Sequence, residues 1–135
     1  MSKAVLDASA FLAYLYEEPG ADAVEGILAL GGVMSAVSWA EVLSKAADLG
    51  VPPENLVTEL GQRGLLGHAL EILPLTAEDG LEIAHLRPLT QSLGLSLGDR
   101  ACLALAKRLR LPVITADRSW MTVSGIEIRV IRQGR

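Results

Sequence analysis

The chain has 135 residues, half of them hydrophobic but only 4% aromatic, which suits one domain around one aliphatic core. Formal charge is −4 and mean hydropathy +0.37. No apolar run approaches the roughly 20 residues of a membrane helix, and Asp7 interrupts the first one too early for a signal peptide, so a soluble cytoplasmic protein with no membrane attachment is expected.

Residues 3–6 predict a strand, cut off at Asp7. A helix over 8–17 follows at once, with Phe11, Leu12 and Leu15 on one stripe. "EEPG" ends it, and a second helix over 21–30 closes at Gly31-Gly32. "VMSAV" predicts a strand. Ser38 then caps a helix to about Leu49, stopped by Gly50 and the Pro52-Pro53 pair. A helix over 53–66, a strand at "LEILPL" and a long helix opened by Thr76 come next, the last kinked near Pro88. Gly94 breaks that helix, and Ser96 caps another that runs to about Arg110. "VIT" is a strand, 117–125 a loop, and "IEIRVI" the closing strand. Short continuous apolar strands alternating with helices imply an α/β three-layer α/β/α sandwich with a mainly parallel five-stranded sheet.

Other side chains read blandly. Cys102 is alone, so no internal disulfide forms, and "ACLALA" places it on a buried helix face. His68 and His85 are isolated, which argues against zinc. Trp39 and Trp120 read as core or site wall, with base stacking as the alternative. Asp22, Glu78 and Asp79 read as helix-start charges. The aliphatic excess for so small a core suggests surface hidden against a partner or a second copy, with helices 8–30 and 38–66 as the candidate faces.

Charge is unevenly spread. The first 99 residues carry 4 basic and 14 acidic side chains, whereas residues 100–135 carry 8 basic and 2 acidic. The basic ones are Arg100, Lys107, Arg108, Arg110, Arg118, Arg129, Arg132 and Arg135. Such a split permits a polyanionic partner on one side, or simply a solvated helix face and a basic tail.

Two acids stand at the carboxyl ends of predicted strands, Asp7 after "AVL" and Asp117 after "VITA". In open α/β sheets that edge binds ligands. Glu41 in "SWAE" and Asp99 in "SLGD" lie in predicted first helical turns that face the same edge. Both also fit a capping box, as does "TAED" at 76–79, so each taken alone reads equally as a cap. Together, four carboxylates with no His or Cys among them make a hard oxygen donor set. That selects Mg²⁺, with Mn²⁺ as a substitute, and suits phosphodiester hydrolysis. Ser9 and Thr115 lie beside the strand-end acids, either orienting a carboxylate or capping a turn. Arg100 and Arg118 each follow an acid and are candidate RNA contacts.

The stretches "VLDASAFLAYL", "SAVSWAEVLSKA", "SLGDRACLALAKRLRLPVITAD" and "RSW" resemble the PIN domain, and closely the VapC-type toxins of bacterial toxin–antitoxin pairs. The resemblance spans essentially the whole chain, read as one PIN domain over 1–135. It implies Asp7 and Asp99 as principal metal ligands, Glu41 and Asp117 as completing the acidic cluster, and Thr115 as the hydroxyl two residues before the last acid. It further implies a Mg²⁺-dependent endoribonuclease, homodimeric, restrained by a small VapB-like antitoxin. A receiver domain would need paired acids after its first strand and a lysine after its last. A haloacid-type phosphatase would need Asp-x-Asp where this chain has "DAS". A PIN-like binding module without catalysis would be marked by a lost acid, and none of the four is lost.

Overall fold

The computed structural model describes residues 3–132. Among them, β1 (Ala4–Leu6) leads into α1 (Ala8–Leu15) and α2 (Ala21–Leu30). Next come β2 (Gly32–Ser35), α3 (Ala36–Asp48), α4 (Pro53–Gln62) and β3 (Leu70–Leu73). The remainder is α5 (Ala77–Thr90), α6 (Leu97–Leu109), β4 (Val113–Thr115) and β5 (Ile128–Val130), with 3₁₀ turns at Gln91–Leu93 and Arg118–Thr122.

All strands pair in parallel, in the order β3-β2-β1-β4-β5. The expected α/β/α sandwich is therefore present. β1 is central and buried on both faces, which is why its three residues are uniformly apolar. Alternation sends Ala4 and Leu6 into one core, with Phe11, Val24, Leu28, Met34, Val42 and Leu60. Val5 enters the other, with Val33, Val113, Ile83, Leu86 and the inner face of α6. Gly32 is needed at the start of β2, because a Cβ there would sit 2.6 Å from Leu6 Cδ1.

After β1 the chain builds outward through β2 and β3, then returns to the opposite side of β1 to lay down β4. The strand order reverses between β1 and β4, and ligands collect in such a crevice. Both Asp7 and Asp117 follow these two strands.

Several expectations are corrected. β2 stops at Ser35, not at Val37, and Ser35 rather than Ser38 caps α3: its Oγ accepts from Ser38 N at 3.0 Å. Ser38 is thus inside the helix, and "SWAE" is not a capping box. β3 and β5 are shorter than their apolar runs. α5 runs through Pro88 as expected but ends at Thr90, and a 3₁₀ turn carries the chain on to Leu93.

Four cations of the basic C-terminal block face acids of the chain itself. Lys107 pairs with Glu82 at 2.9 Å, Arg108 with Asp79 at 2.9 Å, Arg129 with Glu127 at 2.9 Å and Arg132 with Glu18 at 3.6 Å. Arg135 lies outside the described residues. Exposed large apolar side chains occur on the two expected helical faces (Tyr16, Leu30, Leu49, Val57), but also at Leu81, Leu89, Leu97 and Met121. No helix among the described residues is long and apolar enough to cross a membrane.

Candidate functional site

Asp7 is both the last residue before α1 and its N-cap. Its Oδ1 accepts from Ala10 N and from Ser9 Oγ, both at 2.8 Å. Its Oδ2 accepts from Ser9 Oγ at 2.9 Å and from Thr115 Oγ1 at 2.6 Å. The residue is 4% exposed. Burial, more than its hydroxyl and backbone donors can offset, pushes the carboxyl up from 3.8 to about 6, and Asp99 adds repulsion. Ser9 and Thr115 therefore orient the carboxylate, and also tie β4 to α1. Ser9 Oγ accepts from Ala116 N at 3.0 Å, and Thr115 Oγ1 accepts from Asp117 N at 3.1 Å.

Asp117 begins the 3₁₀ turn, its Oδ1 accepting from Ser119 N at 2.9 Å and Ser119 Oγ at 2.8 Å. Asp99 forms a true capping box with Ser96, accepting from Ser96 N at 2.9 Å while its own N–H donates to Ser96 Oγ at 3.1 Å. Capping uses one of roughly four lone-pair positions on a carboxylate, so cap and ligand are compatible roles.

Glu41, freed from the cap assignment, reaches across to α6. A Cβ on Gly98 would lie 2.8 Å from both Glu41 carboxylate oxygens, so only glycine leaves room for that carboxylate beside Asp99. Burial first, then the Asp99 charge, raises the Glu41 pKa. Cys102 lies fully buried beneath this edge. Burial, and then the charges of Asp7, Asp99 and Glu41, push its thiol well above its ordinary value. It is a protonated core residue, as expected.

The four acids line one cleft of about 430 Å³, together with Ser9, Ser44, Lys45, Asp48 and Trp120. A larger groove of about 830 Å³ runs from Tyr14 to Asp22 and across to Arg63, but all its charged side chains are exposed. The smaller cleft is the candidate site, because it holds the buried Asp7 carboxylate and because Asp7 and Glu41 are both repelled by Asp99, whereas Glu41 and Asp117 are themselves exposed. Trp120 is a wall of it, 1% exposed, with its indole Nε1 buried and without an acceptor among the described residues. Trp39 packs on the core.

Arg100 is not at the site. It is 7% exposed and donates from Nη1 to Ile83 O at 2.9 Å, away from solvent and from the cleft. A residue one step beyond Asp99 is turned about 100° around the helix, which sends it toward α5. Arg118 is exposed beside Asp117 but does not line the cleft. Asp79 is a cap as expected, yet it is also a buried ion-pair partner of Arg108. Ser44, Lys45 and Asp48 were missed. Their spacing of three, four and seven residues from Glu41 puts them on the same helical face.

The donor set fits a hard divalent cation. It is all oxygen, its acids repel one another, Asp7 has only neutral partners, and Gly98 makes the space that Glu41 occupies. Among the described residues, no three acidic, histidine or cysteine side chains stand close enough to hold an ion alone. A cation here would complete its shell with water, which is the habit of Mg²⁺.

No curated protein matches the chain in sequence. Among solved structures the fold is shared with a toxin–antitoxin complex from Klebsiella pneumoniae (19% identity, 97% of this chain, 99% of the other, TM-score 0.72). It is shared also with DNA-bound VapBC from Salmonella typhimurium (18% identity, 98% and 100% covered, TM-score 0.73) and FitAcB from Neisseria gonorrhoeae (20% identity, 94% and 96% covered, TM-score 0.72). Residues 4–125 match the family model of the PIN domain, and the chain belongs to that family.

Proposed function

We propose that this PIN domain is a divalent-metal-dependent endoribonuclease, the toxin of a VapBC-type toxin–antitoxin pair. The observation that carries the nuclease reading is the convergence on one cleft of Asp7, Glu41, Asp99 and Asp117, which come from four separate segments. Asp7 and Asp99 are the principal metal ligands, and Glu41 and Asp117 complete the acidic cluster. When bound, Mg²⁺ or Mn²⁺ supplies a water of lowered pKa and a counter-charge for the leaving oxygen.

The chain's own groups prepare that chemistry. Ser9 and Thr115 fix the Asp7 carboxylate so that it does not reorganise on ligation. The Ser96 cap holds Asp99, and Ser119 holds Asp117. Gly98 admits Glu41. Trp120 and Leu12 give the cleft its apolar wall.

The toxin role and the antitoxin partner draw on the toxin–antitoxin complexes that share the fold. The exposed apolar residues supply surface for a homodimer and for a small VapB-like antitoxin.

The test is cleavage of RNA by the purified protein with Mg²⁺, with Mn²⁺ and with EDTA. Cleavage should require metal, and Asp7→Asn and Asp99→Asn should each lose at least about 10²-fold. Undiminished cleavage in EDTA overturns the mechanism. Expression without an antitoxin should slow growth, with relief by Asp7→Asn. Normal growth at confirmed high expression counts against the toxin role. Light scattering that finds a monomer at high micromolar concentration removes the dimer.

A further inference from the structure

An RNA backbone entering this cleft meets five carboxylates: Asp7, Glu41, Asp48, Asp99 and Asp117. A phosphodiester is repelled by such a surface, and a single divalent ion does not neutralise it. A cation of the protein at the cleft would offset that repulsion. The basic C-terminal block is the obvious source by composition, but Lys107, Arg108, Arg129 and Arg132 face acids of their own, Arg100 is buried against α5, and Arg110 and Arg118, though exposed, do not line the cleft.

Lys45 is the one lysine or arginine among the residues lining the cleft. It sits one turn beyond Glu41 on α3, so the two side chains share a face. It is exposed and, among the described residues, makes no ion pair or hydrogen bond, even with so many acids nearby. Its three N–H donors are uncommitted.

Resting on the nuclease reading, we propose that Lys45 is a substrate-binding residue that grips a phosphate of the RNA backbone at the mouth of the acidic cleft. A flexible ammonium suits this task, because it acts as a point charge and reads no base. The grip is independent of sequence.

The experiment compares the parent with Lys45→Gln, Lys45→Arg and, as a control on the paired block, Lys107→Gln. Cleavage of an unstructured RNA oligonucleotide is followed in Mg²⁺ over a series of KCl concentrations, and binding of the same oligonucleotide by fluorescence anisotropy. Lys45→Gln should raise KM about tenfold with kcat changed less than about threefold. It should also flatten the dependence of log(kcat/KM) on log[salt] by about 0.7, the value for one phosphate contact on a single strand. Lys45→Arg should restore both, and Lys107→Gln should alter neither. Unchanged KM and salt slope in Lys45→Gln overturn the proposal. So does a loss confined to kcat with weakened Mg²⁺ binding, which would make Lys45 a partner of the acids. A parent that binds the oligonucleotide without cutting it defeats the nuclease reading alone, and the salt slope of binding then still decides the role of Lys45. A parent that neither binds nor cuts defeats both.

Discussion

Asp7→Asn separates a functional carboxylate from a structural one by its effect on stability. A carboxyl whose folded-state pKa is raised keeps its proton longer in the folded chain than in the unfolded one. The stability it contributes is therefore full below 3.8 and is lost as pH rises through about 6. The gap between those values corresponds to about 3 kcal/mol against the folded state at pH 7.5. Asparagine has the same shape as the neutral acid, and its amide oxygen can still accept from Ala10 N. Its amide group meets Thr115 and Ser9 less well than a protonated carboxyl, at a cost of about 1 kcal/mol. The variant should therefore exceed the parent by about 2 kcal/mol at pH 7.5 in EDTA. The assay is denaturant unfolding of both proteins between pH 4 and pH 7.5, in which acids that do not face Asp7 cancel in the difference. The advantage should shrink toward zero or reverse near pH 4. Excess Mg²⁺ should then add about 2.7 kcal/mol to the parent alone at a hundred times its Kd, which turns the difference to about 0.7 kcal/mol in the parent's favour. A variant no more stable than the parent at pH 7.5, or an advantage constant with pH, refutes the reasoning: Asp7 would then be an ordinary helix cap.

Gly98→Ala should leave stability within about 1 kcal/mol, because alanine is the better helix former and the displaced group is only the end of the Glu41 side chain. The same change should lower RNA cleavage at least about tenfold through the misplaced carboxylate, measured under saturating Mg²⁺. Asp79→Asn should behave in the opposite way to the site acids. Burial alone would raise the Asp79 pKa, but Arg108 and the Thr76 cap hold it below the ordinary value, so its contribution is present above 3.8 and fades as pH falls below that. The variant should lose about 1–3 kcal/mol at pH 7 with no change in its response to Mg²⁺, and thermal unfolding with and without the ion checks both. Ser35→Ala should cost about 1 kcal/mol as the loss of an N-cap, and Ser38→Ala less; equal costs by denaturant unfolding would contradict the placement of the helix start.

The alternation of strands and helices was legible because parallel strands buried on both faces must be unbroken apolar runs, and "AVL", "GVM" and "VIT" are such runs. Asp7 and Asp117 stood out for the same reason: an acid that ends a buried strand has nowhere to point but the sheet edge. The start of α3 was not legible. Ser35 and Ser38 are both good caps, and the choice falls to Ser35 because it still pairs with Leu73 in the sheet. Whether Glu41 was a cap or a site residue followed from that choice. The fate of the positive charges lay further beyond local pattern. Composition counts eight cations after residue 99, but an ion pair such as Arg108 with Asp79 joins positions 29 apart in the chain, and only packing of α6 on α5 brings them together. Chain order set which residues are charged. Tertiary structure decided which of them pair and which face the cleft, and the cation that lines it is Lys45, from the acidic half of the chain.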